Sequence, residues 1–479
     1  MNKLKDNPMI LNNNIKQVVE VSKSNIDRLI LSLHFDSHLS LTEIARNIET
    51  AYQTTVSIDY ISQTITKYTL IMAELNNKAN DTAAPFIKHI SADELHLRKF
   101  DANQGILYST HDVFSGYTIG SLLNKTKNAA NSNDWQTSIV DLKDKGLDPE
   151  TIGTDLGAAI FNSHKLYGNC PHFADGWHTI DKIEKVRKGV ITEVKYAEAA
   201  IANNQKQFLK FIDPKTTPKA REKLTMSRDK TTYTQAQLDS LNKTLLHLNI
   251  CVEIFYSYIL KPSIMNPQQI DSGYDTIIDF IEEVLPCYQT AAFEETINFL
   301  RRNKDKILAF THYLQHKFVE AYPPFKAHGV AFNDFWLTIA SLQYNRKNKQ
   351  RIAILCDLEQ KYGADLLDTM CLATREILSK LKLTTQITEG FHANIAKYCK
   401  HQKELSQAKF DAYNFHLNHL KMHNPKCKSR KGKSRFEVGT GIKHHHWLDI
   451  VMGHKMRVFR FYIDADHKKQ DVLNQRFAA

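Results

Sequence analysis

The chain has few cysteines for its length and lacks any run of apolar residues long enough to cross a bilayer. Its seven cysteines are scattered over 479 residues without a Cys-x-x-Cys pair, which argues against a zinc ribbon or a thioredoxin-like site. The most apolar stretch, residues 250–260, is short and contains Glu253, and residues 1–23 lack the pattern of a secretory signal. These absences predict a protein without a membrane span in a reducing, cytoplasmic setting.

The composition is that of a globular protein with an excess of basic residues. Hydrophobic residues make up 42% of the chain and charged residues 24%, which are ordinary values. The length predicts roughly two to four domains. The formal net charge of +11 favours a polyanionic partner, nucleic acid before membrane.

Residues 25–77 predict three short helices. Ser40 and Glu43 have the spacing of a capping box, and Ser57 begins the third helix, with Ile58 among its inward residues. Three helices with a short break before the last are similar to a helix-turn-helix, whose last helix enters the major groove of DNA. A plain helical cap on the following domain is the alternative. The outward residues predicted to contact DNA are Tyr60, Gln63, Thr64 and Lys67.

A different pattern follows a predicted linker at residues 81–85. Alternation predicts three successive strands, with a turn at Asp112-Val113-Phe114-Ser115 between the second and third. A helix, a short strand ending at Asp155, a second helix and a last short strand come next. This order, strand-strand-strand-helix-strand-helix-strand, resembles that of an RNase H-like sheet. The sequence therefore predicts an α/β RNase H-like core.

The remaining chain is almost wholly helical until a basic segment near its end. Helix inside an α/β domain over residues 181–383 reads as an insertion. Residues 421–435 hold seven Lys or Arg and no acid, which predicts a solvated, mobile segment or a phosphate-binding arm that includes Lys428, Arg430 and Lys431. The predicted domains are a helical N-terminal domain (1–80), the first part of the core (81–180), an all-helical insertion (181–383), the last core helices (384–424) and a basic tail (425–479).

Three carboxylates are candidates for metal chemistry: Asp93 within a strand, Asp155 at a strand end and Glu389 at a helix start. Adjacent side chains on a strand point to opposite faces, so of Asp93 and Glu94 we expect Asp93 to enter a cleft and Glu94 to be structural. Three such acids can hold two Mg²⁺ ions that support an in-line displacement at phosphorus. On spacing alone, each of the three carboxylates can equally be a solvated charge or a helix cap.

The order of several short motifs raises the case for these acids. They are Asp93-Glu94; Tyr108 to Gly116; Thr154-Asp155-Leu156-Gly157-Ala158-Ala159; Asp175-Gly176-Trp177-His178; and Thr384, Thr385, Glu389, Asn394 and Lys397. In this order the chain resembles DDE-type bacterial insertion-sequence transposases and the related mutator-like group. The motifs span about two thirds of the chain. Two features depart from the compact bacterial groups: Glu389 follows Asp155 by 234 residues, and the Asp175–His178 pair lacks the cysteine form.

The resemblance implies an RNase H-like fold, DNA cleavage and strand transfer at the ends of a mobile element, and Asp93, Asp155 and Glu389 as ligands of two Mg²⁺ ions, for which Mn²⁺ substitutes. It places His178 at the site, with Asp175 and Asn394 beside the ligands. Lys397 and Lys400 are candidates to face phosphate, with solvated lysines as the alternative. The implied partners are double-stranded DNA and further copies of the chain, as a homodimer or higher oligomer, in a bacterial cytoplasm at the nucleoid.

Three other functions are compatible with the residues. One is an RNase H-like nuclease that cuts without strand transfer. Another is a catalytically inactive, transposase-derived DNA-binding protein, and a third is a basic helical scaffold. The run His444-His445-His446 predicts a solvated basic loop and no metal site, because three adjacent side chains do not face one ion well.

Overall fold

A computed structural model describes thirteen segments of the chain. They are residues 23–52, 55–99, 102–125, 129–155, 157–168, 170–210, 218–260, 266–283, 290–343, 348–379, 386–402, 404–425 and 428–453. Thr384 and Thr385 of the predicted approach to Glu389 lie outside these segments, as does the part of the predicted tail beyond residue 453.

The described chain is mostly helical with one small mixed sheet. The N-terminal helices are α1 (Lys23–Phe35), α2 (Leu41–Tyr52) and α3 (Ile58–Ala83), followed by a 3₁₀ turn (Ala84–Phe86). The sheet region contains β1 (His89–Lys99), β2 (Ala102–Asp112), β3 (Thr118–Asn124), α4 (Ser132–Asp144), β4 (Thr151–Thr154), α5 (Ala158–Ser163), a 3₁₀ turn (His164–Tyr167) and β5 (His172–Ala174).

Helices follow β5 to the end of the described chain. They are α6 (Gly176–Lys210), α7 (Pro218–Leu260), α8 (Ile270–Glu282), α9 (Ala291–Arg302), α10 (Lys304–Ala321), α11 (Pro323–Ala327), α12 (Phe332–Leu337), α13 (Ala340–Gln343), α14 (Lys349–Tyr362), α15 (Ala364–Ser379), α16 (Gln386–Cys399), α17 (Gln407–His419), a 3₁₀ turn (Lys428–Arg430), α18 (Arg435–Thr440) and α19 (Trp447–Met452).

The chain divides into two compact units that differ from the predicted domains. The first unit comprises Met1–Lys88, Glu94–Asp148 and Ile387–Ala479, and the second comprises His89–Asp93 and Pro149–Gln386. The boundary therefore passes through β1. The N-terminal helices, predicted as a separate domain, share a hydrophobic core in the first unit with α16, α17 and α19, in which Phe35, Met72, Phe410 and Trp447 are buried.

The sheet follows the order of elements predicted from the sequence. Its spatial order is β3-β2-β1-β4-β5. β2 and β3 pair antiparallel, whereas β1 with β4 and β4 with β5 pair parallel. The predicted turn between β2 and β3 is present: the backbone amide of Ser115 donates to the Asp112 carboxylate, and Gly116 follows with φ +75°. An α/β sheet combined with a large helical region is thus confirmed.

Two predicted N-terminal caps are confirmed, whereas Ser24, which was also predicted to cap a helix, lies inside α1. The backbone amide of Ser40 donates to Glu43 Oε2 at 2.8 Å and the Glu43 amide donates to Ser40 Oγ at 3.3 Å, which is a capping box. Ser57 Oγ accepts from the amide of Tyr60 at 3.1 Å. These side chains satisfy amides that a helix start leaves without partners. Ile58, however, was wrongly expected to face inward, since it is 47% exposed.

The predicted linker at residues 81–85 is wrong, because helix α3 runs through most of it. Small and polar residues suggest a connection, but Thr82, Ala83 and Ala84 are buried. Asn80 Oδ1 accepts a 2.8 Å hydrogen bond from the hydroxyl of the buried Tyr117, and Thr82 Oγ1 donates to the carbonyl of Lys78. Helix α3 makes its main contacts with α17, so tertiary packing decided the conformation of a sequence with weak local preference.

The second unit is almost entirely helical, as predicted for the insertion. One apolar cluster joins α6 and α7 to α8 and α9, with Leu248, Phe255, Tyr274 and Phe293 fully buried. A second cluster gathers aromatic side chains around α10 to α12, among them Phe318 and Trp336. Helix α6 already begins at Gly176, immediately after β5.

Candidate metal centre

The parallel pairing of β1 and β4 determines where Asp93 and Asp155 lie. Ser91 on β1 is paired with Gly153 on β4. Asp93 lies two residues after Ser91, and Asp155 lies two residues after Gly153. The same register therefore brings Asp93 level with Asp155. Asp155 lies at the carboxyl end of β4, where the sites of open α/β sheets form, and Asp93 lies beside it within β1.

Asp93, Glu94 and Asp155 form a group that can hold a metal ion. Each offers a carboxylate oxygen, these oxygens all lie within 4.8 Å of one another, and all three residues are half-buried. Among the described residues, no other group of three acids, histidines or cysteines meets this criterion. Carboxylate oxygens are the ligands that hard divalent cations such as Mg²⁺ prefer.

The presence of Glu94 in this group differs from the prediction, in which the side chains of Asp93 and Glu94 point to opposite faces of the sheet. Alternation along a strand fixes the direction of each Cβ, but the Glu94 side chain is long enough for its carboxylate to join the group. Glu94 Oε1 also accepts a 2.7 Å hydrogen bond from Nε1 of the buried Trp135 on α4. Sequence reasoning missed this arrangement, whose only signal was the adjacency of two acids within a strand.

Hydrogen bonds hold the chain on both sides of Asp155. Its Oδ1 accepts from the backbone amide of Gly157 at 2.8 Å. The preceding residue, Thr154, is fully buried, and its hydroxyl lies 2.6 Å from Nε2 of His172 on β5. The Thr154 carbonyl accepts from the amide of Asp175 at 2.7 Å. The position of Asp155 is therefore set by β4 and its neighbour β5.

Asp175 and His178 have different surroundings although they belong to one motif. Asp175 is 3% exposed, and its Oδ1 accepts from the amide of Trp177 at 2.7 Å in the first turn of α6. That bond satisfies an amide at the helix start, so this carboxylate caps α6. His178 lies one residue further along the helix and is exposed. Its predicted place at the reacting phosphate remains a prediction.

The remaining predicted ligand lies on α16, in the first unit. Glu389 is exposed in the first turn of this helix, and its participation with Asp93 and Asp155 remains a prediction. Asn394 is half-buried, and its Nδ2 donates to the carbonyl of Gly390 at 2.9 Å, within its own helix. Lys397 and Lys400 are exposed, as a contact with phosphate requires.

The predicted DNA-reading face of α3 is only partly available. Gln63 and Lys67 are exposed. Thr64 is wrongly placed by the prediction, because it is 6% exposed and faces the core. Tyr60 is half-buried, and its hydroxyl donates to Asp27 Oδ1 at 2.6 Å. Burial and the neighbouring Asp27 carboxylate raise the pKa of Tyr60 to about 12. The hydroxyl of Tyr60 therefore contributes to packing of α1 against α3.

The basic segment 421–435 is folded where the structure describes it, and of its two predicted roles the phosphate-binding arm remains a prediction. The amides of Met422 and Gly432 donate to the carbonyls of Lys433 and Met422 at 2.9 and 2.8 Å, which closes a loop. This loop presents basic side chains at its surface: Lys428 and Lys431 are exposed and Arg430 is half-buried.

The histidine run that follows is only partly solvated. His444 is half-buried and its Nε2 lies 2.6 Å from the Ser434 hydroxyl, whereas His445 and His446 are exposed. Burial lowers the pKa of His444 to about 4. The run thus contributes one side chain to the packing around α18.

Comparisons with protein-family models and with curated proteins gave no match for this chain. Within the described segments, no helix combines the length and the apolar character needed to span a membrane.

Proposed function

We propose that this chain is a DDE-type DNA transposase that cleaves and joins DNA strands with divalent metal ions. The observation that carries the proposal is the group formed by Asp93, Glu94 and Asp155, whose carboxylate oxygens lie within 4.8 Å of one another. Asp93 lies on β1, and Asp155 follows the neighbouring parallel strand β4 at the same level. Half-buried acids in such proximity repel one another, and a bound cation offsets that cost.

The sheet and the charge of the chain support the same proposal. The sequence of elements around the acids is the one expected of an RNase H-like core with a helical insertion. The net charge of +11 and the exposed cations Lys428 and Lys431 suit a DNA backbone. Gln63 and Lys67 on α3 are the exposed members of the predicted recognition set. Two element ends must be held together, so a homodimer or higher oligomer on DNA belongs to the proposal.

In the proposed reaction a water oxygen attacks a phosphorus at the element end, and the bond from phosphorus to the 3′-oxygen breaks. The leaving oxygen takes a proton and becomes a 3′-hydroxyl, which then attacks a phosphorus of the target DNA. Bound Mg²⁺ or Mn²⁺ would activate the attacking oxygen and neutralise charge on the leaving oxygen. Asp93 and Asp155 would hold the metal, Glu389 would complete the set implied by the resemblance, and Glu94 is a further candidate on its geometry.

The test is cleavage and joining of labelled duplexes that carry the ends of the element, with Mg²⁺ or Mn²⁺. Asp155→Asn keeps the size of the side chain and removes its charge, and we expect it to abolish both products. Asp144→Asn changes an exposed acid at the end of α4 and is the matched control, with wild-type activity expected. Cleavage without joining would favour a nuclease. Binding without reaction in either protein would favour an inactive transposase-derived protein.

The third ligand is tested by comparing Glu94→Gln with Glu389→Gln. Loss of Mn²⁺ binding in Glu94→Gln alone would assign the third position to Glu94. Loss in Glu389→Gln, with Glu94→Gln only destabilised through its bond to Trp135, would support the set implied by the resemblance. Mn²⁺ binding is measured directly by electron paramagnetic resonance, so the assignment does not depend on activity.

A further inference from the structure

Helices α6 and α7 form a long antiparallel hairpin in the second unit. The guanidinium of Arg187 donates to Asn249 Oδ1 at 3.2 Å, and the rings of Trp177 and Tyr256 lie 5.5 Å apart. These two pairs define the alignment of the helices. Because the helices are antiparallel, residue numbers rise along α6 in the direction in which they fall along α7. At about 1.5 Å per residue, the helices are roughly 50 and 65 Å long.

Among the side chains that the structure describes, the buried apolar seam of the hairpin lies in the part nearer the sheet. Buried apolar residues run from Ile180 to Ile201 on α6 and from Leu238 to Ile259 on α7. Beyond them, the last buried side chains described are polar, Asn204 and Thr234. We call residues 176–201 and 235–260 the proximal arm, and residues 202–210 and 218–234 the distal arm.

Charge is distributed unequally between the two arms. The proximal arm contains six Lys or Arg and six Asp or Glu, whereas the distal arm contains seven Lys or Arg and two Asp or Glu. Two cations of the proximal arm form ion pairs within the protein: Lys185 pairs with Asp181, and Arg187 pairs with Glu184. The net charge of the hairpin is therefore concentrated in its distal arm.

Cations of the distal arm whose side chains are described are exposed, and three of them form a stripe. Five of them have exposed side chains and make no ion pair with any residue in the described segments: Lys206, Lys219, Lys223, Arg228 and Lys230. On α7, Lys219, Lys223 and Lys230 fall within about 40° of one another around the helix axis, over a length of roughly 16 Å. The alignment of the two helices places Lys206 at the level of Lys230.

We infer that the distal arm binds the phosphate backbone of double-stranded DNA. A row of positive charge along a helix suits a linear polyanion, which carries about one charge per 1.7 Å of duplex. A membrane-surface helix instead needs a broad apolar face, and the large apolar side chains described as exposed in the distal arm are Leu209 on α6 and Met226 on α7. The choice of DNA as partner rests on the proposed function, while the location of the contact rests on the charge distribution.

The test compares two triple variants of the full chain. The distal variant carries Lys219→Gln, Lys223→Gln and Lys230→Gln. The proximal control carries Lys188→Gln, Lys195→Gln and Lys243→Gln, which are also exposed. Glutamine has a helix propensity close to that of lysine, so circular dichroism and thermal unfolding should match for the two. Affinity for a labelled duplex of about 30 base pairs is measured by fluorescence anisotropy without metal ions, over a range of salt concentrations.

The distal variant is expected to lose about tenfold or more in affinity at 0.1 M salt, and the slope of log affinity against log salt should fall by about 2 to 3. The proximal control should change affinity less than about twofold. Equal losses in both variants, or no loss in the distal one, would overturn the inference while the cleavage assay still decides the proposed function. Stripe-dependent binding to phosphatidylserine vesicles, with no binding to the duplex, would overturn the assignment to DNA.

Discussion

The backbone amide of Asp175 donates a 2.7 Å hydrogen bond to the carbonyl of Thr154, the residue immediately before Asp155. The Asp175 carboxylate in turn caps α6. One residue therefore ties the end of β4 to the start of the helix that follows β5. The candidate metal ligand Asp155 depends on this connection for its position, although Asp175 does not belong to the group of acids around it.

Replacement of Asp175 separates a capping role from a ligand role. Asp175→Ala removes the acceptor for the Trp177 amide, and we expect a loss of about 1 kcal/mol in the free energy of unfolding, measured with urea. Asp175→Asn keeps an acceptor oxygen and should remain close to wild type in both stability and Mn²⁺ binding. Loss of Mn²⁺ binding in Asp175→Asn at unchanged stability would show that the carboxylate acts on the metal instead.

Tyr60 offers a similar choice between packing and recognition. Its hydroxyl donates to Asp27, which is 7% exposed. We expect Tyr60→Phe to cost about 1 kcal/mol of stability, because a buried carboxylate loses a donor, and to leave DNA affinity unchanged. The exposed neighbour Gln63 is the matched position, and Gln63→Ala should weaken DNA binding without affecting stability. Weaker DNA binding of Tyr60→Phe at unchanged stability would instead show that Tyr60 contacts DNA. Urea unfolding and fluorescence anisotropy measure the two effects.

Local signals in the sequence predicted the elements well. The Ser40–Glu43 spacing and Ser57 located two helix starts because capping depends on residues only three positions apart. Asp155 was located correctly, immediately after β4, because short apolar strands are followed by polar residues at a sheet edge. Such features depend on neighbours in the sequence and can be read from it.

Features that depend on distant contacts were not predictable. Thr82 and Ala83 continue a helix whose buried face packs in the core, and Thr64 is buried on that same helix. Sequence periodicity does not determine which of the polar residues of α3 lies at the edge between its buried and exposed faces. Glu94 joins Asp93 and Asp155 through the reach of its side chain and its bond to Trp135, 41 residues away. Neither contact leaves a local signal.

Asp411 on α17 is predicted to destabilise the protein near neutral pH. Burial is the main cause that raises the pKa of this half-buried carboxyl to about 6, above its unfolded value of about 3.9. The folded state thus prefers the protonated carboxyl. Its contribution to the free energy of unfolding is fully present below about pH 4 and is lost as the pH rises through 6. Asp411→Asn keeps an oxygen to accept from Gln407 Nε2 and should raise the free energy of unfolding at pH 7.5 by about 1 to 2 kcal/mol.

The control for Asp411 is Asp144→Asn at an exposed site, which should leave stability unchanged. Urea unfolding of both variants at pH 7.5 and pH 5 measures the effect. A gain for Asp411→Asn that is equal at both pH values would contradict the titration of Asp411, since the gain should shrink as the wild-type carboxyl becomes protonated.

Acid sensitivity is expected from histidines buried in the first unit. Burial, followed by the nearby Lys409 and His38, lowers the pKa of His34 to about 4, and burial lowers that of His392 to about 4. The unfolded chain takes up these protons near pH 6.5. Stability is therefore complete above pH 6.5 and falls as the pH is lowered towards 4, with a slope of up to about 1.4 kcal/mol per pH unit for each histidine.

Removing one buried histidine should flatten that pH dependence. We expect His34→Gln to reduce the slope of unfolding free energy against pH by about one proton between pH 6.5 and 4.5, even though it lowers stability at pH 7.5. His423→Gln, at an exposed position after α17, should leave the slope as in the wild type. Urea midpoints measured at several pH values give the slopes. An unchanged slope in His34→Gln would mean that His34 takes up its proton in the folded state as readily as in the unfolded chain, against its burial beside Lys409.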